Sequence, residues 1–388
     1  MGIQFIPHVS VEVYKAPAIR VFFGVFTLFL TLFLGLSPPQ AVFGSEDIKN
    51  RRTTFVVSWG LDWIARHQLP DGSWNFNHIL ANPKQCTCAN PGTYTECTHG
   101  ATALAILSFL GVGMTHEDGR FQKPIRAGLK FLCASIRSDV NFPGSGSLYQ
   151  EQGTMYTHGL ATLCLTEAYM MTKDKRLRLP AQVTTNFIMS AQNPISGGWR
   201  YAPLREKGDI SVTGLQLMVL KSAQMANFQV NPICVTKGMC FLDSVQLDDG
   251  ATYGYTKPGK DPTCTAIGLL CRMYNGWDRD HPAIKKGVEY LSGLGPSSDI
   301  YYNYYATQVM RHYGGVRGQE WVNKLREQLV TSQISEEGHA KGSWNPVSEH
   351  SEYGGRLYET ALSLMTLEVY YRHQPIYQSK MIENKKSK

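Results

Sequence analysis

The sequence has no Pro/Ser-rich linker, no block of like charge and only one long apolar run. Charged residues make up only 18% of the chain, and the net charge of +7 is spread along it. That excludes the basic stripe interleaved with aromatics that a nucleic-acid surface needs, and leaves at most a weak preference for acidic surfaces. Without a linker or a composition shift after residue 45, a string of independent modules is excluded and one domain is the economical reading. Glycine-rich phosphate loops, dinucleotide fingerprints and a thioester Cys-Gln pair are also missing, so no cofactor is expected.

The single apolar run is Val21 to Leu36, preceded by Lys15 and Arg20 and followed by Pro38-Pro39 and the small-residue tail Ala41 to Gly44. It is shorter than the ~20 residues a bilayer span needs, which favours an export signal cleaved near Gly44. The alternative is an uncleaved membrane anchor over residues 21–36. Either way the chain is expected outside the cytoplasm, periplasmic or extracellular, or held at a membrane. Residues 1–44 are therefore set apart as signal or anchor, 45–378 as the folded domain, and 379–388 as a basic tail.

What fills residues 45–378 is a repeated helical unit. Trp59 to Gly113 gives an outer-helix pattern with Leu61, Ile64 and Ala65 at helical spacing, a turn at Pro70-Asp71-Gly72 with Trp74 after it, and a run of small and aliphatic residues ending on Gly111 and Gly113. The run is apolar on nearly every side, as in a helix buried all round. Similar units follow at Gly128–Met171, Ala181–Met225, Gly238–Tyr274, His281–Tyr313 and Trp321–Tyr371, a period of roughly 50 residues that marks a repeat architecture. The spacing predicts an all-α protein of six helical hairpins, with Leu104, Leu163, Leu217, Leu269 and Leu364 on the inner helices.

Of nine cysteines, those at 133, 164, 240 and 271 fall inside helical patterns, where cysteine acts as a small hydrophobe. Cys86-Thr-Cys88 followed by Cys97-Thr-His99 is the informative group. In an exported chain its first reading is a disulfide, most simply Cys86 or Cys88 to Cys97. The other readings are free thiols, or a Cys3His metal site of Cys86, Cys88, Cys97 and His99, although that spacing departs from the usual C-x2-C.

The turns QLPDGSW (Gln68 to Trp74), QNPISGGW (Gln192 to Trp199), QLDDGATYGY (Gln246 to Tyr255) and Gln333 with GSW (Gly342 to Trp344) resemble the QW repeats of squalene-hopene cyclases and the related prenyltransferase beta subunits. The physical sense of the repeat is a Gln capping helix ends and a Trp stacked over the turn. The resemblance covers nearly the whole of residues 45–378 and implies an α/α toroid, with inner helices around a central cavity. For squalene-hopene cyclases it also implies an acidic D-x-D-D-T-A stretch whose central Asp protonates an alkene. Here Asp209-Ile210-Ser211-Val212-Thr213-Gly214 keeps the first Asp and the Thr but has Ser211 at the acid, and a serine hydroxyl is not acidic enough for that step. Asp209, at a helix start, is expected to be held as the anion by the helix dipole. The prenyltransferase zinc pattern is matched only by Asp261-Pro-Thr-Cys264, one residue too long, which reads instead as a helix cap.

Registering the inner helices on their small-residue runs places His99, His158, Thr213, Thr265, Tyr305 and Tyr358 at equivalent positions near one mouth. Asp209, Cys264, Tyr302, Tyr304 and Arg356 fall close by. Asp209, His158 and His99 are the candidate catalytic groups, and Thr213, Cys264, Thr265, Tyr305, Tyr358, Trp199 and Tyr255 are candidates for binding at the mouth. Trp199 and Tyr255 also read as stacking residues of the repeat. The expected partner is an apolar small molecule of isoprenoid type, with a noncatalytic lipid- or protein-binding scaffold as the alternative. A polysaccharide-degrading enzyme would need paired carboxylates in the cavity, and the inner helices supply mainly Glu167, Glu359 and Glu368.

Overall fold

The computed structural model describes residues 45–204, 207–348 and 351–369. The expected signal or anchor and the basic tail lie outside them. Among the described residues, twelve α-helices alternate between two rings. The outer helices are α1 (Ser45–Arg66), α3 (Gln122–Ser135), α5 (Lys175–Ser190), α7 (Pro232–Val245), α9 (Pro282–Leu294) and α11 (Gly315–Ser332). The inner helices are α2 (Thr98–Gly111), α4 (Thr154–Thr172), α6 (Ile210–Met225), α8 (Pro262–Tyr274), α10 (Ile300–Tyr313) and α12 (Ser351–Glu368). Each inner helix packs on the next, and α12 returns to pack on α2, so the six close into an α/α toroid. None of the described helices is long and apolar enough to cross a membrane.

The two rings differ because their sequences differ. On α3 only Ile125, Gly128, Leu129 and Leu132 are buried, the i, i+3, i+4, i+7 stripe of an amphipathic surface helix. On α2 every residue from Gly100 to Gly111 is buried, which its small and aliphatic composition permits. Several helices start on a side-chain cap. Asp174, Asp209, Asn231, Asp261 and Asp299 each accept a backbone N–H of the first turn with a side-chain oxygen, worth about 1 kcal/mol apiece.

The repeat turns tie one hairpin to the next. Gln68 Nε2 donates to Gly72 O within its own turn (2.8 Å) and to Pro124 O on α3 (2.9 Å). Gln192 does the same to Gly197 O and to Cys234 O on α7. Gln333 donates to Gly342 O and to Val56 O on α1, so the last turn is fastened to the first helix by the same device. In each turn the indole N–H bonds the outer helix before it: Trp74 to Ile64 O, Trp199 to Ile188 O and Trp344 to Leu329 O. The turn glycines Gly72, Gly197 and Gly342 have positive φ and lie against the backbone of the next outer helix, where a side chain has neither the conformation nor the space. The expected capping Gln and stacking Trp are thus present in hairpins one, three and six. In the fourth, Tyr253 stands at the Trp position and its hydroxyl accepts from Arg272 Nε.

Candidate functional site

One position on each inner helix holds the turn behind it. The Thr102 hydroxyl accepts Trp74 N–H, Thr213 accepts Trp199 N–H, Thr265 accepts Tyr253 N–H and Thr360 accepts Trp344 N–H. In hairpin two His158 takes this place, its Nδ1 accepting Leu148 N–H and its Nε2 donating to Thr184 O. In hairpin five it is Asn303, which accepts Ser297 N–H and donates to Ser297 O. His158, Thr213 and Thr265 therefore occupy equivalent positions as the sequence implied, but they face the turn, not the mouth. The expected register of the others slips: the turn is held by Thr102 rather than His99, Asn303 rather than Tyr305, and Thr360 rather than Tyr358.

This corrects His158 as a catalytic candidate. Both ring nitrogens are committed to backbone, the ring is fully buried, and burial lowers its pKa to about 4. His99 also turns outward, its Nδ1 paired with Leu148 O (2.9 Å). Trp199 is buried as a turn residue, and Arg356 binds Ala89 O, Ser343 Oγ and Asn345 Oδ1 near the closing turn. Tyr302 donates to Gly295 O in the connection before its own helix.

At 100° per residue, the position two before the turn-holding one points the opposite way, toward the toroid axis. These positions carry Gly100, Tyr156, Ser211, Thr263, Tyr301 and Tyr358. Tyr156, Tyr301 and Tyr358 keep accessible surface although most of their helices are buried, as does Leu160 one turn below Tyr156. They meet across the ring. Burial pushes the Tyr156 hydroxyl well above its ordinary pKa, with Asp209 and Tyr305 acting the same way, and Tyr301 is raised by burial and then by Tyr156 and Tyr305. The Tyr301 and Tyr305 rings lie 5.0 Å apart. The axis-facing side of the inner helices therefore carries partly accessible tyrosines, with Leu160, Leu215 and Leu362 at the positions one turn further along.

Asp209 stands beside these tyrosines. Its Oδ1 accepts Val212 N–H (2.9 Å), and its Oδ2 has no hydrogen bond among the described residues, with Arg200 Nε 3.8 Å away. Tyr201 and Tyr255 join hydroxyl to hydroxyl at 2.6 Å, and the Arg200 guanidinium lies over both rings. Cys264 is close enough for Asp209 to act on it, and its N–H is capped by Asp261. Burial raises Asp209 to about 6, against the expectation that the helix dipole holds it as the anion; losing water outweighs the dipole and the Val212 bond. With an unfolded value near 4, the extra stability is fully present below about pH 4 and lost as pH rises through about 6. Asp209→Asn keeps the cap oxygen and removes the titration. The melting temperature of the variant relative to wild type is expected to rise between pH 4 and pH 7 by the equivalent of about 1–3 kcal/mol; a pH-independent difference contradicts this assignment.

No protein-family profile and no curated protein matches this sequence. Solved structures do. An α-1,6-mannanase of glycoside hydrolase family 76 from Salegentibacter superposes with a TM-score of 0.56 at 9% identity, covering 82% of this chain and 98% of that one. A family 76 mannosidase from Bacteroides thetaiotaomicron gives 0.56 at 10% identity over 86% and 100% of the two chains. A type II terpene cyclase from Scytonema, in complex with geranylgeranyl dihydroxybenzoate, gives 0.55 at 12% identity over 84% and 98%. The α/α toroid is shared with sugar-cleaving and terpene-cyclising proteins alike, so the likeness fixes the fold and is broader than the squalene-hopene cyclase resemblance.

The cysteine loop departs from the disulfide and Cys3His readings and agrees with the third, free thiols. Cys86, Cys88 and Cys97 are all free thiols. Cys97 turns away to Thr157 Oγ1 (2.9 Å), at the start of α2, and His99 follows it. A disulfide to Cys97 and a metal set including Cys97 and His99 are therefore both unsupported by the geometry. Cys86 and Cys88 instead face His67 at the end of α1 and His339 in the loop before α12.

Proposed function

We propose that this protein takes an apolar, isoprenoid-like molecule into the toroid, and that it does not cyclise that molecule by protonating an alkene. The observation that carries the reading is the lining of the toroid axis. Tyr156, Leu160, Tyr301 and Tyr358 are inner-ring side chains with accessible surface, and the buried Asp209 carboxylate stands beside them, paired only loosely with Arg200 at 3.8 Å. Aromatic faces and leucines suit a hydrocarbon chain, and the tyrosine hydroxyls with Asp209 suit a polar head. The Scytonema cyclase, bound to a molecule with a geranylgeranyl chain, lends the same fold a precedent for such a ligand.

The negative half rests on position 211. It is the place on α6 that faces the axis, and it holds a serine. Asp209 is the helix cap, two residues earlier. A carboxyl near 6 is protonated in part at neutral pH, but so weak an acid is a poor proton donor to an alkene. A sugar-cleaving reading rests on fold likeness alone: Glu359, raised to about 7 by burial, already accepts a bond from Ser351 Oγ (2.7 Å).

The test is incubation of the purified protein with geranylgeraniol and with squalene. The expected result is a thermal shift with geranylgeraniol and no cyclised product from squalene. Substantial squalene conversion that disappears in Asp209→Asn would overturn the noncatalytic half. No shift with either compound would leave the scaffold alternative.

A further inference from the structure

Outside the mouth, four metal-ligating atoms from three separate parts of the chain converge. Cys86 Sγ lies 3.6 Å from His67 Nε2, Cys88 Sγ lies 3.8 Å from the same nitrogen, and Cys88 Sγ lies 3.2 Å from His339 Nδ1. All four donor atoms fall within 4.8 Å of one another. From the structure we infer that His67, Cys86, Cys88 and His339 form a Cys2His2 site for a tetrahedral divalent ion of the zinc type, and that the ion fastens the two ends of the toroid together.

The distances are the first argument. With zinc–sulfur bonds of about 2.3 Å and zinc–nitrogen bonds of about 2.0 Å, the edges of a tetrahedron of donors measure roughly 3.3–3.8 Å. The observed separations of 3.2, 3.6 and 3.8 Å are already those edges. A thiol–imidazole hydrogen bond can give any one of these separations, but the convergence of all four donor atoms within 4.8 Å is what a shared tetrahedral ion requires.

The tautomer is the second. His67 Nδ1 lies 2.7 Å from Trp63 O, an acceptor, so Nδ1 carries the proton and Nε2 presents its lone pair to both sulfurs. A ligating histidine is commonly oriented this way, through a carbonyl on its other nitrogen. The His339 loop is held too: Arg66 Nη2 donates to His339 O and Lys341 O.

The surroundings are the third. His67 and Cys88 are buried, with Cys86 and His339 half-buried over them. The His67 ring packs against Trp63 at 4.1 Å and edge-on to His339 at 4.9 Å. His78, fully buried, sits 5.3 Å from the His67 ring. Four protein donors leave no open position, the pattern of a structural ion rather than a catalytic one.

The placement gives the ion its role. Cys88 and His339 are 251 residues apart in sequence. They lie where the end of α1 meets the final turn, which Arg66 holds through His339 O and Lys341 O. Closing so long a loop with a metal removes much of the freedom of the unfolded chain. It also keeps two cysteines from oxidation without requiring a reducing compartment.

The experiment uses the full chain, purified without a metal-binding tag, equilibrated with zinc, desalted and analysed by inductively coupled plasma mass spectrometry. The expected result is one zinc per chain, lost in Cys86→Ser/Cys88→Ser and kept in Cys97→Ser. Because the double variant can fail to fold, wild-type protein loaded with cobalt is read directly. Tetrahedral d–d bands with thiolate-to-cobalt charge transfer are expected, and His339→Ala should weaken cobalt binding at least about tenfold. Wild-type protein that retains no zinc, zinc content unaffected by the double substitution, loss in Cys97→Ser, or a cobalt spectrum without thiolate charge transfer would each overturn the assignment.

Discussion

Trp199→Ala is expected to destabilise the protein by about 3–5 kcal/mol, the range for emptying a buried tryptophan site. Trp199 is almost fully buried, and its indole N–H is the bond from the third repeat turn back to Ile188 O on α5. Its own N–H is held by Thr213, so truncation leaves a cavity and strands Ile188 O beneath it. Against a total stability of roughly 5–15 kcal/mol, that is a large fraction, and in a closed ring a loosened hairpin frees both neighbours. Urea denaturation followed by circular dichroism measures it. A loss below about 1 kcal/mol would mean the repeat turns do not carry the fold as described.

Leu160→Trp is expected to reduce binding of geranylgeraniol by about tenfold or more while changing stability by about 1 kcal/mol or less. Leu160 is partly accessible on the axis-facing side of α4 one turn below Tyr156, so an indole there projects toward the axis, where the ligand is proposed to lie. Overpacking a closed core costs about 1–3 kcal/mol, and the smaller change expected here follows from the surface that Leu160 leaves accessible. Titration of the ligand against intrinsic tyrosine and tryptophan fluorescence gives the affinity ratio. If Leu160→Trp binds as tightly as wild type and is equally stable, the ligand lies elsewhere.

The fold was legible in the sequence because its signals are local and repeated. Apolar periodicity separated the outer helices from the inner ones, and each Gln with its Gly-Ser-Trp or Gly-Gly-Trp marked a turn. Leu104, Leu163, Leu217, Leu269 and Leu364 are all on inner helices. The site was only partly legible. Small-residue runs register a buried helix loosely, so aligning on them put His99, Tyr305 and Tyr358 beside His158, Thr213 and Thr265, although the structure separates them by two or three residues. The capping acids would have fixed the register: Asp209, Asp261 and Asp299 are each four residues before a turn-holding position and two before an axis-facing one. For Asp209 the helix position points to the anion while burial favours the protonated form, a tertiary effect that local sequence does not reveal. The histidine–cysteine cluster was half visible. Cys86 and Cys88 stood out, but their partners come from α1 and from a loop near the other end of the chain, and local spacing pointed to Cys97 and His99 instead.

The central claim is that the toroid is a container for an apolar molecule, and the most direct measurement is of what the protein already holds. Wild-type protein and Leu160→Trp are purified side by side without detergent, extracted with organic solvent and analysed by mass spectrometry. A polyisoprenoid or similar apolar compound, near stoichiometric in the wild type and strongly depleted in Leu160→Trp, is the result predicted here. Extracts without any such compound, from protein that also shows no thermal shift with geranylgeraniol, would contradict it.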